Sequence, residues 1–283
     1  MVISVLSGKG GTGKTTVVAA LSELAKNVIK VDCDVDAPNL YLFYKGMDIE
    51  QQIFYGGKKA KINKSLCIEC EICEKVCKFG AIKNGTIDSF SCEGCGACTL
   101  VCPQNAIELA DEKTADTFIT KTEKGMISRA MMGIGSDGSG KLVTQLRKNA
   151  KRFTDHNSIV ILDGSPGIGC SVIASITDTD IALIVTEPTR SGLDDLKRIL
   201  ELAKHFETQV MICVNKYDIN PDMTAQIENY AKEQNVSVVG KIPFDQLVMK
   251  SVNTLKPITD FAESSARKVI EEMWNQINSR IKN

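Results

Sequence analysis

Read by its apolar positions, the chain alternates between two periods. Short apolar runs rich in β-branched residues occupy 2–6, 28–31, 159–162, 181–185, 210–214 and 236–239. Runs of that length without polar alternation predict strands buried on both faces, as in a parallel sheet. Between them, 14–26, 142–153, 192–205 and 222–234 carry apolar residues three and four apart and predict helices. Strand and helix in alternation predict an α/β fold with a doubly wound, mostly parallel sheet. Val269, Ile270, Met273, Trp274, Ile277 and Ile281 also keep helical spacing. The polar face there mixes Glu271 and Glu272 with Lys268 and Arg280, which predicts a helix packed on the sheet rather than on a membrane.

The rhythm breaks between 62 and 110. There the apolar runs are short, cysteines are dense, and two similar tails, Phe79-Gly80-Ala81-Ile82 and Gln104-Asn105-Ala106-Ile107, close an internal repeat. A small α+β domain inserted into a sheet loop is predicted, dividing the chain into 1–61, 62–110 and 111–283. Residues 126–141 are rich in Gly and Met and contain a second formal G-x4-G-K match ending at Lys141. Leu142 stands where that motif needs Ser or Thr, and no apolar run of strand type precedes it. A flexible loop is predicted, with a partner-docking segment as the alternative.

Composition narrows the class. With 283 residues, 43% hydrophobic and 24% charged, the chain suits one large domain, or one domain plus a small module. A formal net charge of -1 gives no electrostatic reason for nucleic-acid binding. No apolar run is long enough to span a membrane. A glycine-rich loop begins where the apolar core of a signal peptide would lie, so a cytoplasmic location is expected. Thiols there stay reduced, and cysteines are expected as ligands rather than disulfides.

The first strand runs into Gly8, Lys9, Gly10, Gly11, Thr12, Gly13, Lys14 and Thr15, and a helix follows. Successive N–H groups of such a loop turn toward phosphate oxygens, and the helix N-terminus adds a favourable dipole. Lys14 would reach the β- and γ-phosphates, and the Thr15 hydroxyl would ligate Mg2+. Beyond the second strand, Asp32, Asp34 and Asp36 alternate, but Ala37 and Phe43 stand where a calcium loop needs Gly and Glu. Further on, the apolar run 159–162 ends in Asp163-Gly164-Ser165-Pro166-Gly167, and 210–214 ends in Asn215-Lys216-Tyr217-Asp218. Taken alone, N-K-x-D is a guanine-reading motif.

With Lys9 placed before Gly10 and Thr16 after Thr15, the loop resembles the deviant phosphate loop of the MinD/Mrp/ParA ATPases and the nitrogenase iron protein. The resemblance implies an ATP-dependent homodimer in which Lys9 reaches the partner's phosphates, in the manner of an arginine finger. It implies that Asp34 positions the attacking water, that Asp163 holds Mg2+ through water, and that Asn215 and Pro243 line adenine. ATP is therefore expected over GTP, which the N-K-x-D run keeps open. Lys9, Lys14 and Asp34 are the expected catalytic set.

Eight of the eleven cysteines repeat the spacing C-x2-C-x2-C-x3-C. In such runs three thiolates wrap one iron-sulfur cube and the fourth serves the other. Two [4Fe-4S] clusters are expected, one on Cys67, Cys70, Cys73 and Cys102, the other on Cys92, Cys95, Cys98 and Cys77. Zinc is the competing reading, although zinc sites usually pair cysteines as separated knuckles. Pro103 follows the second run, while Lys78 replaces that proline in the first. The insert resembles bacterial two-cluster ferredoxins, and the whole layout resembles MinD-type ATPases carrying a ferredoxin domain. Cys33 and Cys213 are expected as small buried residues. Cys170 matches a cysteine that bridges the nitrogenase iron protein dimer, but with no second ligand in view a core cysteine is expected. His156 and His205 are isolated and are not expected as ligands. The expected function is Mg-ATP-dependent electron delivery to a partner redox protein. The alternative is a carrier that loads an iron-sulfur or metal centre into an apo-metalloprotein. Neither nucleic acid nor membrane is expected as a partner.

Overall fold

In chain order the strands are β1 (Val2–Ser7), β2 (Val28–Asp32), β3 (Gly46–Ile62), β4 (Ile82–Lys83), β5 (Thr86–Ile87), β6 (Ile107–Thr122), β7 (Gly125–Met132), β8 (Ile159–Pro166), β9 (Ile181–Thr186), β10 (Gln209–Asn215) and β11 (Ser237–Ile242). The helices are α1 (Lys14–Leu24), α2 (Ile72–Val76), α3 (Ala97–Val101), α4 (Ser139–Lys151), α5 (Cys170–Ile176), α6 (Arg190–His205), α7 (Pro221–Glu233), α8 (Gln246–Asn253) and α9 (Ser265–Ile281). This computed structural model describes residues 1–133, 135 and 138–281.

The main sheet has nine strands in the order β11-β10-β9-β1-β8-β2-β7-β6-β3. Pairing is parallel from β11 through to β7, as buried apolar strands require. Alternate residues go to opposite faces. Ile3, Val5, Leu183, Val185 and Met211 pack with α1 and with Ile270, Met273 and Trp274 of α9. Leu6, Ala182, Ile184 and Ile212 pack with Leu196 and Ile199 of α6 and Ile227 of α7. Each fully buried aliphatic side chain contributes about 1.5–3 kcal/mol, so neither layer is dispensable. Caps fix the helix starts: Thr189 accepts from the Gly192 N–H, and Asn220, followed by Pro221, accepts from the Met223 N–H. Val269, Ile270, Met273, Trp274 and Ile277 of the apolar pattern lie on α9 and pack on the sheet as expected.

The expectation of a flexible loop over 126–141 is corrected. Residues 126–132 belong to β7, whose Met126, Ile127 and Ser128 pair in parallel with Ile29, Lys30 and Val31. Ile127, Ser128 and Ala130 are buried there. Residues 139–141 already belong to α4, which buries Leu142, Val143 and Leu146. A strand therefore does precede the second G-x4-G-K match. Ile134, Ser136 and Asp137 of that stretch lie outside the described residues. β7 follows β6 after two residues, and Gly125 opens it with φ 82°. A Cβ on Gly125 would lie 1.9 Å from the Val28 carbonyl oxygen, so the close approach of β7 to β2 requires glycine.

The chain forms two compact units. One comprises 1–52, 117–131 and 139–283; the other comprises 53–116 and 132–138. The second unit extends beyond the 62–110 stretch at both ends, because β3 and β6 continue into it. Its core is Ala60, Ala81, Ile82, Cys92, Cys98 and Ile107. It repeats itself at an interval of 25 residues, from Cys67 to Cys92 and from α2 to α3. The Asn63 N–H donates to the Ala106 carbonyl, and the Asp88 N–H donates to the Ala81 carbonyl, each at 2.8 Å. Each half therefore supplies the bond that the other half receives.

Candidate functional site

The parallel register brings the C-terminal ends of β1, β8 and β2 side by side. Val5 and Asp32 both register with Asp163, and Ser7 registers with Pro166. In open α/β sheets that edge is where ligands bind. The phosphate loop crosses it from Gly8 to Gly13, the left-handed residue that opens α1. Lys14 Nζ lies 2.5 Å from Asp163 Oδ1, with the lysine 6% and the aspartate 0% exposed. Burial opposes the lysine's charge, but Asp163, and beyond it Asp34 and Asp32, outweigh that and raise its pKa above the ordinary value. Asp163 Oδ2 is buried with no hydrogen-bond partner among the described residues, as is Thr12 Oγ1. An orphaned carboxylate oxygen beside a phosphate loop fits a magnesium site. Thr15 follows Lys14 on the first turn of α1.

Asp34 lies in the loop after β2, and Asp32 shapes that loop. Asp32 accepts the N–H groups of Asp34, Asn39 and Leu40 at 3.2, 3.1 and 3.0 Å. Its complete burial, with Asp163 close by, pushes its pKa up to about 8. Burial also raises the pKa of Asp34, with Asp163 and Asp36 adding and Lys14 opposing. The Asn215 side-chain amide donates to the Thr12 carbonyl at 2.7 Å, tying the end of β10 to the phosphate loop. Asp218 Oδ1 accepts the Phe244 N–H at 2.7 Å, which braces the turn containing Pro243. Lys9 Nζ lies 3.3 Å from Glu187 Oε2, and Lys216 Nζ lies 2.6 Å from the other oxygen. Although burial pushes the Glu187 carboxyl up, Lys216 and Lys9 hold it below the usual range.

In the second unit the eight repeat cysteines divide between two cavities. Cys67, Cys70, Cys73 and Cys102 line one of about 320 Å³. Cys77, Cys92, Cys95 and Cys98 line another of about 20 Å³. Each takes three thiols from one run and the fourth from the other. Among the described residues, no three Cys, His, Asp or Glu side chains converge closely enough for a single metal ion. The donor set fits a thiolate-held cube at each cavity better than a zinc tetrahedron, which gathers four sulfurs around one point. For the smaller cavity the donors carry that fit, not the volume. Cys102 Sγ accepts the Ala106 N–H at 3.2 Å, and Cys77 Sγ accepts the Ala81 N–H at 3.4 Å, again a matched pair.

Comparison with known proteins decides the family. Residues 3–258 match the family described as the CobQ/CobB/MinD/ParA nucleotide binding domain. The chain belongs to that family. An "uncharacterized protein" of Methanocaldococcus jannaschii is 32% identical, over 99% of this chain and 98% of its own length. An "uncharacterized ATP-binding protein" of the same organism is 30% identical, with 96% of each chain covered. An "iron-sulfur cluster carrier protein" of Pyrococcus abyssi is 24% identical, over 99% of this chain and 86% of its own. Among solved structures, the septum site-determining protein MinD of Pyrococcus horikoshii, complexed with Mg-ADP, superposes with a TM-score of 0.62 at 19% identity, covering 99% and 96% of the two chains. The MinD-like α/β fold and the nucleotide-binding ATPase family are thereby established.

In this MinD/ParA-family chain, spacing alone did not single out Asp32 or Glu187. Asp32 carried a usable signal, an acid at the end of an apolar strand beside Asp163. Glu187 carried none. Cys33 and Cys213 are buried as expected, and burial pushes both thiols up to about 12. Cys170 is corrected: it is exposed, at the first turn of α5, off the face that buries Val172, Ser175 and Ile176. Among the described residues no helix is long and apolar enough to cross a membrane.

Proposed function

We propose that this chain hydrolyses Mg-ATP as a homodimer and carries two [4Fe-4S] clusters in an inserted ferredoxin-like domain, delivering electrons to a partner redox protein. The observation that carries the reading is the division of eight thiols into two cavities, each completed by a cysteine of the other run. Lys14 and the N–H groups of residues 8–16 would bind the phosphates, and Thr15 and Asp163 would hold Mg2+. Asp34 would orient the attacking water. Asn215 and Pro243 would flank adenine; the engagement of Asp218 with the Phe244 N–H supports ATP over GTP. Lys9 would act on the partner's nucleotide after leaving Glu187.

The carrier relative from Pyrococcus abyssi favours a second reading, in which a cluster leaves the protein for an apo-acceptor. Cys70 and Cys95 are exposed, which suits release as well as electron exchange. One experiment separates the two. The anaerobically purified protein is incubated with ATP and either an oxidised acceptor or an apo-acceptor, and iron is counted on each side. Electron delivery predicts about eight irons retained per chain and an acceptor reduced faster with ATP than without. Stoichiometric transfer of iron, with no change in oxidation rate, would establish the carrier instead.

A further inference from the structure

The internal repeat supplies its own control. Left-handed backbone recurs at matched positions, with Glu69 at φ 55° opposite Gly94 at 59°, and Glu71 at 61° opposite Gly96 at 81°. Such backbone favours glycine, because a Cβ crowds the neighbouring carbonyl. Gly94 is obligatory, since a Cβ there would lie 2.0 Å from the Lys58 carbonyl oxygen. The first run places glutamates in the same conformation, against the local preference. Glu74, half-buried on α2, accepts the Asn84 N–H at 3.0 Å. All three carboxylates line the cavity of Cys67, Cys70, Cys73 and Cys102, whereas Glu93 is the one acid lining the other. Around the second cavity the charges cancel, Lys59 and Lys78 standing against Glu93 and Glu112, and the first cavity has one cation of the same kind in Lys64, whose Nζ donates to the Gly85 carbonyl at 2.6 Å. Lys59 Nζ donates to the Cys92 carbonyl at 2.6 Å while sharing its charge with Glu112 at 3.6 Å. Lys78 follows the ligand Cys77, where the other run has Pro103.

We infer that these carboxylates split the two centres in potential, making the cluster on Cys67, Cys70, Cys73 and Cys102 the harder to reduce. The inference rests on the two-cluster reading above. Each cluster takes up one electron, and added negative charge is opposed by nearby carboxylates and favoured by nearby ammonium groups. The N–H bonds to the crossed-over cysteines are matched and do not separate the two centres, while Cys73 takes one backbone N–H, from Glu74, that Cys98 lacks and that offsets part of the carboxylates' effect. The first cluster is then the strong donor, and the second is where an electron rests. Glu69 and Glu71 are exposed, so their influence is screened by salt.

The test uses the full chain, purified without oxygen, with metals counted before an EPR-monitored titration with dithionite. Two separated one-electron waves are expected at low salt, drawing together as ionic strength rises. The double variant Glu69→Gly/Glu71→Gly copies the second run and removes a steric penalty. It should raise the lower wave by at least a tenfold change in its one-electron equilibrium, about 59 mV, and leave the upper wave in place. Glu69→Gln/Glu71→Gln, which keeps the side-chain shape, should do the same. Full iron with coincident waves, or variants that move the upper wave or neither, would overturn the inference alone. Absence of iron, or stoichiometric zinc, would overturn the two-cluster reading beneath it.

Discussion

Lys14 and Asp163 meet almost out of reach of water, with Asp32 behind them. Removing the lysine leaves the buried Asp163 carboxylate without its cation. Lys14→Ala should therefore abolish nucleotide binding and also destabilise the empty protein by about 3–5 kcal/mol, read by urea denaturation. Lys9 differs, being 35% exposed and paired at the edge of the site. Lys9→Ala should keep ATP affinity near wild type and weaken ATP-induced association, read by sedimentation with and without ATP. Normal association of that variant would reduce Lys9 to a solvated loop residue. Spacing made Lys14 and Asp163 legible, because each ends a recognisable strand-and-turn motif. The Lys9–Glu187–Lys216 contact was not legible, because it joins three loops far apart in sequence through chemistry any surface glutamate could supply.

At the scale of elements, α5, α8 and the buried part of β6 were missed, while β1, β2, β8, β9, β10 and β11 and the helices α1, α4, α6, α7 and α9 were readable from their periods. β3 was not. Its residues are mostly exposed and carry Asp48, Glu50 and several lysines, so it lacks the apolar run of a central strand. Edge strands are often protected in this way. β7 was hidden by its methionines and glycines, although its burial depends on one of them. Gly125→Ala should push β7 away from Val28 and cost about 3 kcal/mol. Thermal melting would measure the loss, and exchange of the Ile127 and Ser128 amides would show it to be local to the β2–β7 pairing. A variant as stable as wild type would mean that the hairpin can shift without cost.

Across the whole molecule, two buried charges give stability an unusual dependence on pH. Asp32 has a folded pKa raised to about 8. The folded protein binds that proton more tightly, so stability falls as pH rises from the ordinary carboxylate range, about 4, toward 8. Lys30 is fully buried on β2, with its ammonium 4.3 Å from the centre of the Tyr44 ring, and burial lowers its pKa to about 8. Here the unfolded chain binds the proton more tightly, so stability rises as pH goes from 8 toward 10.5. The nucleotide-free protein should be least stable near pH 8 in urea titrations. Asp32→Asn should remove the falling limb and Lys30→Met the rising one. A monotonic profile through pH 8 would show that other groups dominate.

The crossed contacts of the repeat have a genetic consequence. Neither half of the cysteine unit encloses a complete set of four thiols, and each half takes a backbone bond that only the other can give. A chain truncated or scrambled in one half should lose both cavities together. Two chains broken in opposite halves would retain all the parts between them. Co-expressed, they are the pair in which intragenic complementation is to be sought.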